Sequence, residues 1–263
     1  MNATFADFGP TLASARLRAG IPQRELEKLG VAKGSDVLVY SKDWLTWTEI
    51  SRFKKRIYDI CDDHFRTPGK RAYYIDHAQL ADVVTCNSEM MRQIIKEETD
   101  RDAVVIKEPY ESEEKPPQIG PRLLWYGHKS NLPDLYRIEG ELKHPLLVLS
   151  NSEKHDKWTP ETFRQVIDTP CIVIIPTGKS LAKSENRMVE AIRNGRYVCA
   201  EYLPSYAPFD QFYPLGDIQA NIEQALANPE SIDRIKAAQD YIRDRYSPEA
   251  IGKQWLEVIN EYC

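Results

Sequence analysis

ADVVTCNSEMMRQIIKEETDRDAVVI, residues Ala81–Ile106, decides the fold. Its first six residues, Ala81–Cys86, are small, β-branched or apolar apart from Asp82, the composition of a buried strand. Asn87 and Ser88 end that run. Glu89–Glu98 then reads as a helix, and the Ser88 hydroxyl is suited to accept a free N–H of its first turn. Ala103–Ile106 (AVVI) is a second short strand. Strand, helix and strand within one short segment predict a parallel sheet with helices on its faces.

The same alternation extends outward. Upstream, Asp36–Tyr40 (DVLVY) reads as a buried strand, Ile50–Lys55 as the end of a helix, and Arg56–Cys61 (RIYDIC) as the next strand. Downstream, Glu108–Pro121 (EPYESEEKPPQIGP) breaks the pattern with four prolines and a cluster of acids. It is unsuited to a continuous helix or a central strand and reads as an interdomain linker. Strands are then expected at Arg122–Tyr126, Pro145–Leu149, Cys171–Ile175 and Tyr197–Ala200. Helices are expected at Asn131–Glu139, Pro160–Val166, Ser184–Asn194, Asp217–Ala227 and Pro229–Tyr246, with a last one from Pro248 to about Tyr262. The fold class is α/β: two Rossmann-like doubly wound lobes facing a cleft. The domains are residues 1–115 and 116–263, with the final helix expected to pack back on the first. Ligands of such sheets bind at the carboxyl ends of the strands, which places the expected site in that cleft.

Composition narrows the function. Hydrophobic residues make up 42% and charged residues 29%, ordinary for a globular protein. No apolar run reaches the ~18–20 residues of a membrane span, and the N-terminus lacks the regions of a signal peptide. A cytoplasmic location is the expectation. The five cysteines are odd in number and lack C-x-x-C spacing, which fits buried thiols rather than disulfides or a zinc site. Net charge is −5, and neither half is a strong electrostatic lure for nucleic acid. Arg16/Arg18 and Lys54–Arg56 are local basic patches.

Three stretches resemble the GT-B glycosyltransferases of the large family-4-like group, in their small phage and bacterial form. Ala81–Glu111 resembles the end of their N-terminal domain. Leu123–His128 (LLWYGH) resembles the first strand and loop of their C-terminal domain. Lys183–Tyr206 (KSENRMVEAIRNGRYVCAEYLPSY) resembles their donor-binding helix, the next strand and the loop after it. The tail, with Trp255 in its last helix, resembles their closing helices. The resemblance implies transfer of a sugar from a nucleotide-sugar donor to a hydroxyl acceptor, without a cofactor or metal. The acceptor class, whether glycan, small molecule or modified DNA base, stays open, as does the oligomeric state. One departure stands out. The family carries two glutamates separated by seven residues; Glu190 matches the second, but the first falls on Ala182. A catalytically silent nucleotide-sugar-binding protein is therefore an alternative, as is a glycosyltransferase acting on modified bases in DNA.

The candidate residues follow. Pro176–Arg187 joins a strand to a helix, and a helix N-terminus suits a diphosphate. Lys179, Lys183 and Arg187 add charge, with Ser184 and Asn186 beside them. The other reading is a solvated basic loop capped by Ser184. Its GKS triplet lacks the spacing of a P-loop. The resemblance implies that Glu190 contacts the donor ribose; helical spacing alone allows a surface carboxylate paired with Arg187 or Arg193. Gly127 and His128 end a strand where a ligand approaches, with Lys129, Ser150 and Trp158 on neighbouring strand ends. His128 is equally readable as an exposed loop residue, and Trp158 as a rim or core residue. Asp59–His64 places three carboxylates and a histidine at one strand end. Asp62 or Asp63, with His64, is the expected catalytic group that takes a proton from the acceptor. Caps and charge pairs with Arg56 or Arg66 are the competing account. Arg16 and Arg18, read as loop residues, are expected either to hold an anionic phosphate or acceptor group or to be exposed helix charges.

Overall fold

The computed structural model describes residues 1–263 except Phe8, Pro10, Thr11, Asp43, Trp44, Lys179 and Cys263. The chain divides into two compact units. The first comprises Met1–Glu111, Ala182–Ser184 and Asp244–Cys263. The second comprises Ser112–Leu181 and Glu185–Arg243.

In the first unit, five parallel strands run β1 (Ala3–Phe5), β2 (Val37–Ser41), β3 (Lys55–Ile60), β4 (Val83–Cys86) and β5 (Val104–Val105), side by side in chain order. Between β1 and β2 lie α1 (Ala13–Ala15), a π-helical turn (Arg16–Gly20) and α2 (Ile21–Lys28). Helices α3 (Trp47–Ile50), α4 (Arg71–Leu80) and α5 (Glu89–Thr99) connect the remaining strands. Ser88 caps α5 as its sequence implies, accepting from the Met91 N–H at 3.1 Å. Side chains alternate along each strand. Val37, Val39, Ile57 and Val83 face Leu26 of α2 and the last helix, α11 (Pro248–Tyr262), whose Trp255 is fully buried. Leu38, Tyr40, Tyr58 and Val84 face Ile50 of α3, Tyr74 of α4 and Ile95 of α5. The strand order never reverses, yet α2 lies on the face opposite α3, α4 and α5. The first crossover therefore has the opposite hand to the three that follow, a rare arrangement.

The second unit contains β6 (Leu123–Gly127), α6 (Leu132–Glu139), β7 (Leu146–Ser150), β8 (Asp156–Lys157), α7 (Pro160–Ile167), β9 (Ile172–Ile175), α8 (Asn186–Arg193), β10 (Tyr197–Ala200), α9 (Ile218–Ala227) and α10 (Ser231–Arg243). Its parallel strands stand in the order β10-β9-β6-β7-β8. The chain leaves β6 towards one edge and returns to β9 on its other side. The loops after β6 and β9 thus diverge, forming a topological switch point. Gly195, at φ +69°, follows α8 in the left-handed conformation its sequence position implies.

Two parallel sheets flanked by helices match the α/β class read from the sequence. Several details differ. Arg16 and Arg18 lie in a helical segment rather than a loop. α4 and the edge strand β8 were not expected. The division between the units falls within Glu108–Pro121, after Glu111, and Ser112–Pro121 is bonded into the second unit: Lys115 N–H donates to Arg193 O at 3.0 Å, Gln118 N–H to Gly195 O at 2.9 Å, and Gln239 Nε2 to Lys115 O at 2.8 Å. Prolines remove donors there, but the Lys115 and Gln118 amides find acceptors just past the end of α8, and the Lys115 carbonyl accepts from α10.

Candidate functional site

In the second unit the switch point gathers the strongest ligand-binding features. β6 ends at Gly127, where a Cβ would meet the Trp125 ring at 3.2 Å and the Arg187 guanidinium at 3.5 Å. A side chain there would press on the Trp125 ring, while Arg187 lies at ordinary contact distance from the strand end. Arg187 is also fixed through its backbone, since the Tyr126 hydroxyl donates to Arg187 O at 2.7 Å. Burial, then the Glu190 carboxylate, keeps Tyr126 protonated. Arg187 stands in the first turn of α8, and Glu185 at the N-cap does not cap it with its side chain. First-turn amides, a helix-end partial positive charge and a guanidinium thus coincide, a setting for a diphosphate. His128 and Lys129 are exposed beside β6; His128 Nδ1 accepts from the Ser130 N–H at 3.3 Å, and Lys129 N–H donates to Asn151 Oδ1 at 2.7 Å. Glu190, one turn further along α8, is held by the Ser112 hydroxyl and by Asn194 Nδ2 at 3.2 Å. Trp158 is half-buried, tilted against Phe163 at 6.4 Å.

Some expected donor contacts lie elsewhere. Ser150 is fully buried, and its hydroxyl accepts from the Ser152 N–H at 3.2 Å, so it shapes a turn. Ser184 does not cap α8, which begins at Asn186; its hydroxyl donates to Glu108 in the first unit. Lys183 belongs to that unit too, and its charge acts on Asp62. Ala182, at the place of the missing glutamate, is 3% exposed within the first unit's apolar core, where a carboxylate would be buried unpaired. Lys179 lies outside the described residues.

In the first unit the strand ends carry a separate charged cluster. Arg18 is 1% exposed. Its Nε donates to Asp59 Oδ2 at 2.9 Å, a second guanidinium bond completes the fork, and Thr85 adds a hydroxyl to Asp59 at 2.8 Å. The guanidinium also reaches Lys107 O at 3.2 Å and stacks over Trp255 at 5.3 Å. Both Arg18 and Asp59 are thereby occupied inside the unit, which corrects the reading of Arg18 as an anion ligand. Arg16 pairs with Glu111, Nε to Oε1 at 2.7 Å.

The remaining acids of the Asp59–His64 run separate. Asp63 has the charge partner that the competing account expected, Arg66 at 3.6 Å. Asp62, by contrast, pairs with Lys42, a residue the sequence reading missed. Burial works to raise the Asp62 carboxyl, but Lys42, then His64 and Lys183, hold it below the usual carboxylate range. His64 Nδ1 meets the Thr67 hydroxyl at 3.3 Å. Cys61 is buried, and burial pushes its thiol up to about 12. Glu108, 5% exposed at the end of β5, receives Ser184 and Asn87 Nδ2. No signal in a single sequence marks Lys42 or Glu108, because their partners are about 20 and 76 residues away. Among the described residues no group of three or more His, Cys, Asp or Glu side chains is placed to hold a metal ion. Nor is any helix there long and apolar enough to cross a membrane.

No family model matches the chain, and no curated protein sequence does either. Solved structures do. A point mutant of S. aureus TarM, in complex with fondaparinux, alpha-GlcNAc-glycerol and UDP, superposes with a TM-score of 0.62 at 16% identity over 91% of this chain. The fold is similar to that of TarM. A second TarM structure gives a TM-score of 0.54 at 14% identity, again over 91% of the chain. The chain spans 58% of TarM's length in both. The calicheamicin glycosyltransferase CalG4 is also similar, at 12% identity, 86% of this chain and 74% of its own, with a TM-score of 0.41. The likeness to TarM agrees with the GT-B fold inferred from sequence.

Proposed function

We propose that the chain transfers a sugar from a nucleotide-sugar to a hydroxyl acceptor, without a metal, as a family-4-like enzyme. The observation that carries this is the second unit's switch point. There Gly127, Arg187 and the start of α8 converge on a place suited to a diphosphate. His128 and Lys129 would extend the phosphate contacts, Glu190 would take the ribose hydroxyls, and Trp158 would flank the base. TarM was solved with UDP, which makes a uridine donor the first to try. The acceptor-side base is Asp62 or Asp63 in the first unit.

The test is calorimetric titration with UDP-, GDP-, ADP- and CMP-sugars. Arg187→Ala is expected to weaken the bound donor about 10- to 100-fold, the loss of a charge-assisted bond of ~1.5–3 kcal/mol, with the unfolding midpoint unchanged. Equal affinity in parent and variant would place the diphosphate elsewhere. Ala182 favours a second reading, a silent nucleotide-sugar binder. Donor binding without transfer or slow donor hydrolysis would select it.

A further inference from the structure

Within the second unit, two side chains converge on one oxygen of the Glu190 carboxylate. The Ser112 hydroxyl donates to Oε1, and Asn194 Nδ2 donates to the same atom at 3.2 Å. Both donors are uncharged, and each is set by its own surroundings. Asn194 ends α8 and is fully buried, and its Nδ2 also donates to Glu190 O at 2.8 Å. Ser112 lies 78 residues away in sequence and is carried to α8 by its own segment. Arg193 Nε donates to Ser112 O at 3.3 Å, and the Arg193 guanidinium pairs with Glu114. Lys115 and Gln118 then bond to the chain just past the helix end. Gly195 admits that close approach, since a Cβ there would collide with the Pro116 carbonyl and stand 2.7 Å from that of Lys115. Glu190 itself lies close enough to β6 for its charge to act on Tyr126, the residue before Gly127.

We propose that Ser112 is a positioning residue: together with Asn194 it fixes the Glu190 side chain in advance, so that the carboxylate meets the diol of a nucleotide ribose. This rests on the reading of Glu190 as the ribose ligand of the donor site. Glutamate is a long side chain, and ordering it only when the ligand arrives would cost binding energy. Held beforehand, its carboxylate accepts from the ribose hydroxyls, which are donors, in charge-assisted bonds. The same contacts could instead do no more than anchor Ser112–Gln118 on α8. The two roles differ in what they change. Anchoring supports every ligand of the site alike, whereas positioning favours only a ligand that carries the diol.

Calorimetric titration of the full chain with UDP, GDP, ADP and CMP, each beside its 2′-deoxy and 3′-deoxy form, separates them. The parent should prefer the intact ribose by about 10-fold or more, and Glu190→Ala should lose that preference. Ser112→Ala should cut the preference about 3- to 10-fold while the deoxy forms bind within about twofold of their parent affinity. Ser112→Thr keeps the hydroxyl and should return the preference towards the parent value. Asn194 is buried in the helix end, so its replacement would disturb the fold as well, and Ser112 carries the test. A Ser112→Ala variant that keeps the parent preference overturns the proposal and leaves the ribose reading standing. So does one that binds intact and deoxy forms equally more weakly, which makes the contact an anchor. A parent that does not distinguish ribose from deoxyribose, or a Glu190→Ala variant that still does, overturns the ribose reading and the proposal with it. A parent that binds none of the nucleotides overturns both as well.

Discussion

Two arginines two positions apart behave differently because of where their partners sit. Arg16 and Glu111 are 20% and 32% exposed, a surface pair of the kind worth ~0–1 kcal/mol. Arg18 and Asp59 are 0% and 1% exposed. Arg18 pairs with Asp59; burial works against its charge, but Asp59, with Glu108 and Cys61, outweighs that burial. Removing one partner of such a pair leaves the other buried and unpaired, at a cost of ~3–5 kcal/mol. Arg18→Ala is therefore expected to lower unfolding stability by that amount in urea titration, while Arg16→Ala changes it by less than ~1 kcal/mol. Similar small losses for both would mean that Arg18 is not the buried anchor described here. Nothing in the pattern Arg-Leu-Arg distinguishes the two. The choice is made by a carboxylate 41 residues away.

At the scale of elements, α2 and α11 lie together over one face of the first sheet. Gly252 of α11 makes that approach possible: a Cβ there would stand 2.5 Å from the Glu25 Cβ of α2. Alanine is the better helix former by ~0.5–1 kcal/mol. The collision involves the Cβ atom of a neighbouring helix rather than a flexible tip, and overpacking of that kind costs ~1–3 kcal/mol. Gly252→Ala should therefore be net destabilising in thermal or urea unfolding. A stabilised variant would show that the helices separate freely. The strand–helix–strand alternation that predicted the sheets was legible because each element carries its own period and caps. Ser88 and Gly195 act within their own turns. The two-residue β8 lacks enough residues to display a period, and the apolar residues of α4 are not gathered on one face.

For the whole molecule, the C-terminal helix belongs to the first unit although it follows the second in sequence. Its Ile251, Trp255, Val258 and Ile259 are at most 5% exposed. Four such side chains at ~1.5–3 kcal/mol each amount to roughly 6–12 kcal/mol, comparable to the stability of a whole domain. Truncation before Pro248 should thus abolish the cooperative unfolding of the first unit. Hydrogen exchange of the β2 and β3 amides would report it. Protection retained at parent level would refute the helix's role. The reversed hand of the first crossover belongs to the same scale, since it is defined only by which sheet face α2 covers relative to α3, α4 and α5.

Legible in the sequence were the α/β class, most strands and helices, and the strand-end loops. These depend on interactions within a few residues: side-chain alternation, helix caps, prolines and the left-handed glycine. Which charged residues at those loops are bound to one another was set by the folded arrangement. Arg18 was taken out of the candidate site by Asp59. Ser184 was withdrawn from the α8 cap by Glu108, and Asp62 and Asp63 took different partners, Lys42 and Arg66. The strand order, with a switch point in one sheet and none in the other, was likewise invisible in the alternation. The physical reason is common to all of these. A charge's role depends on its burial and on the distance to its counter-charge, and both are set by chain segments far apart in sequence.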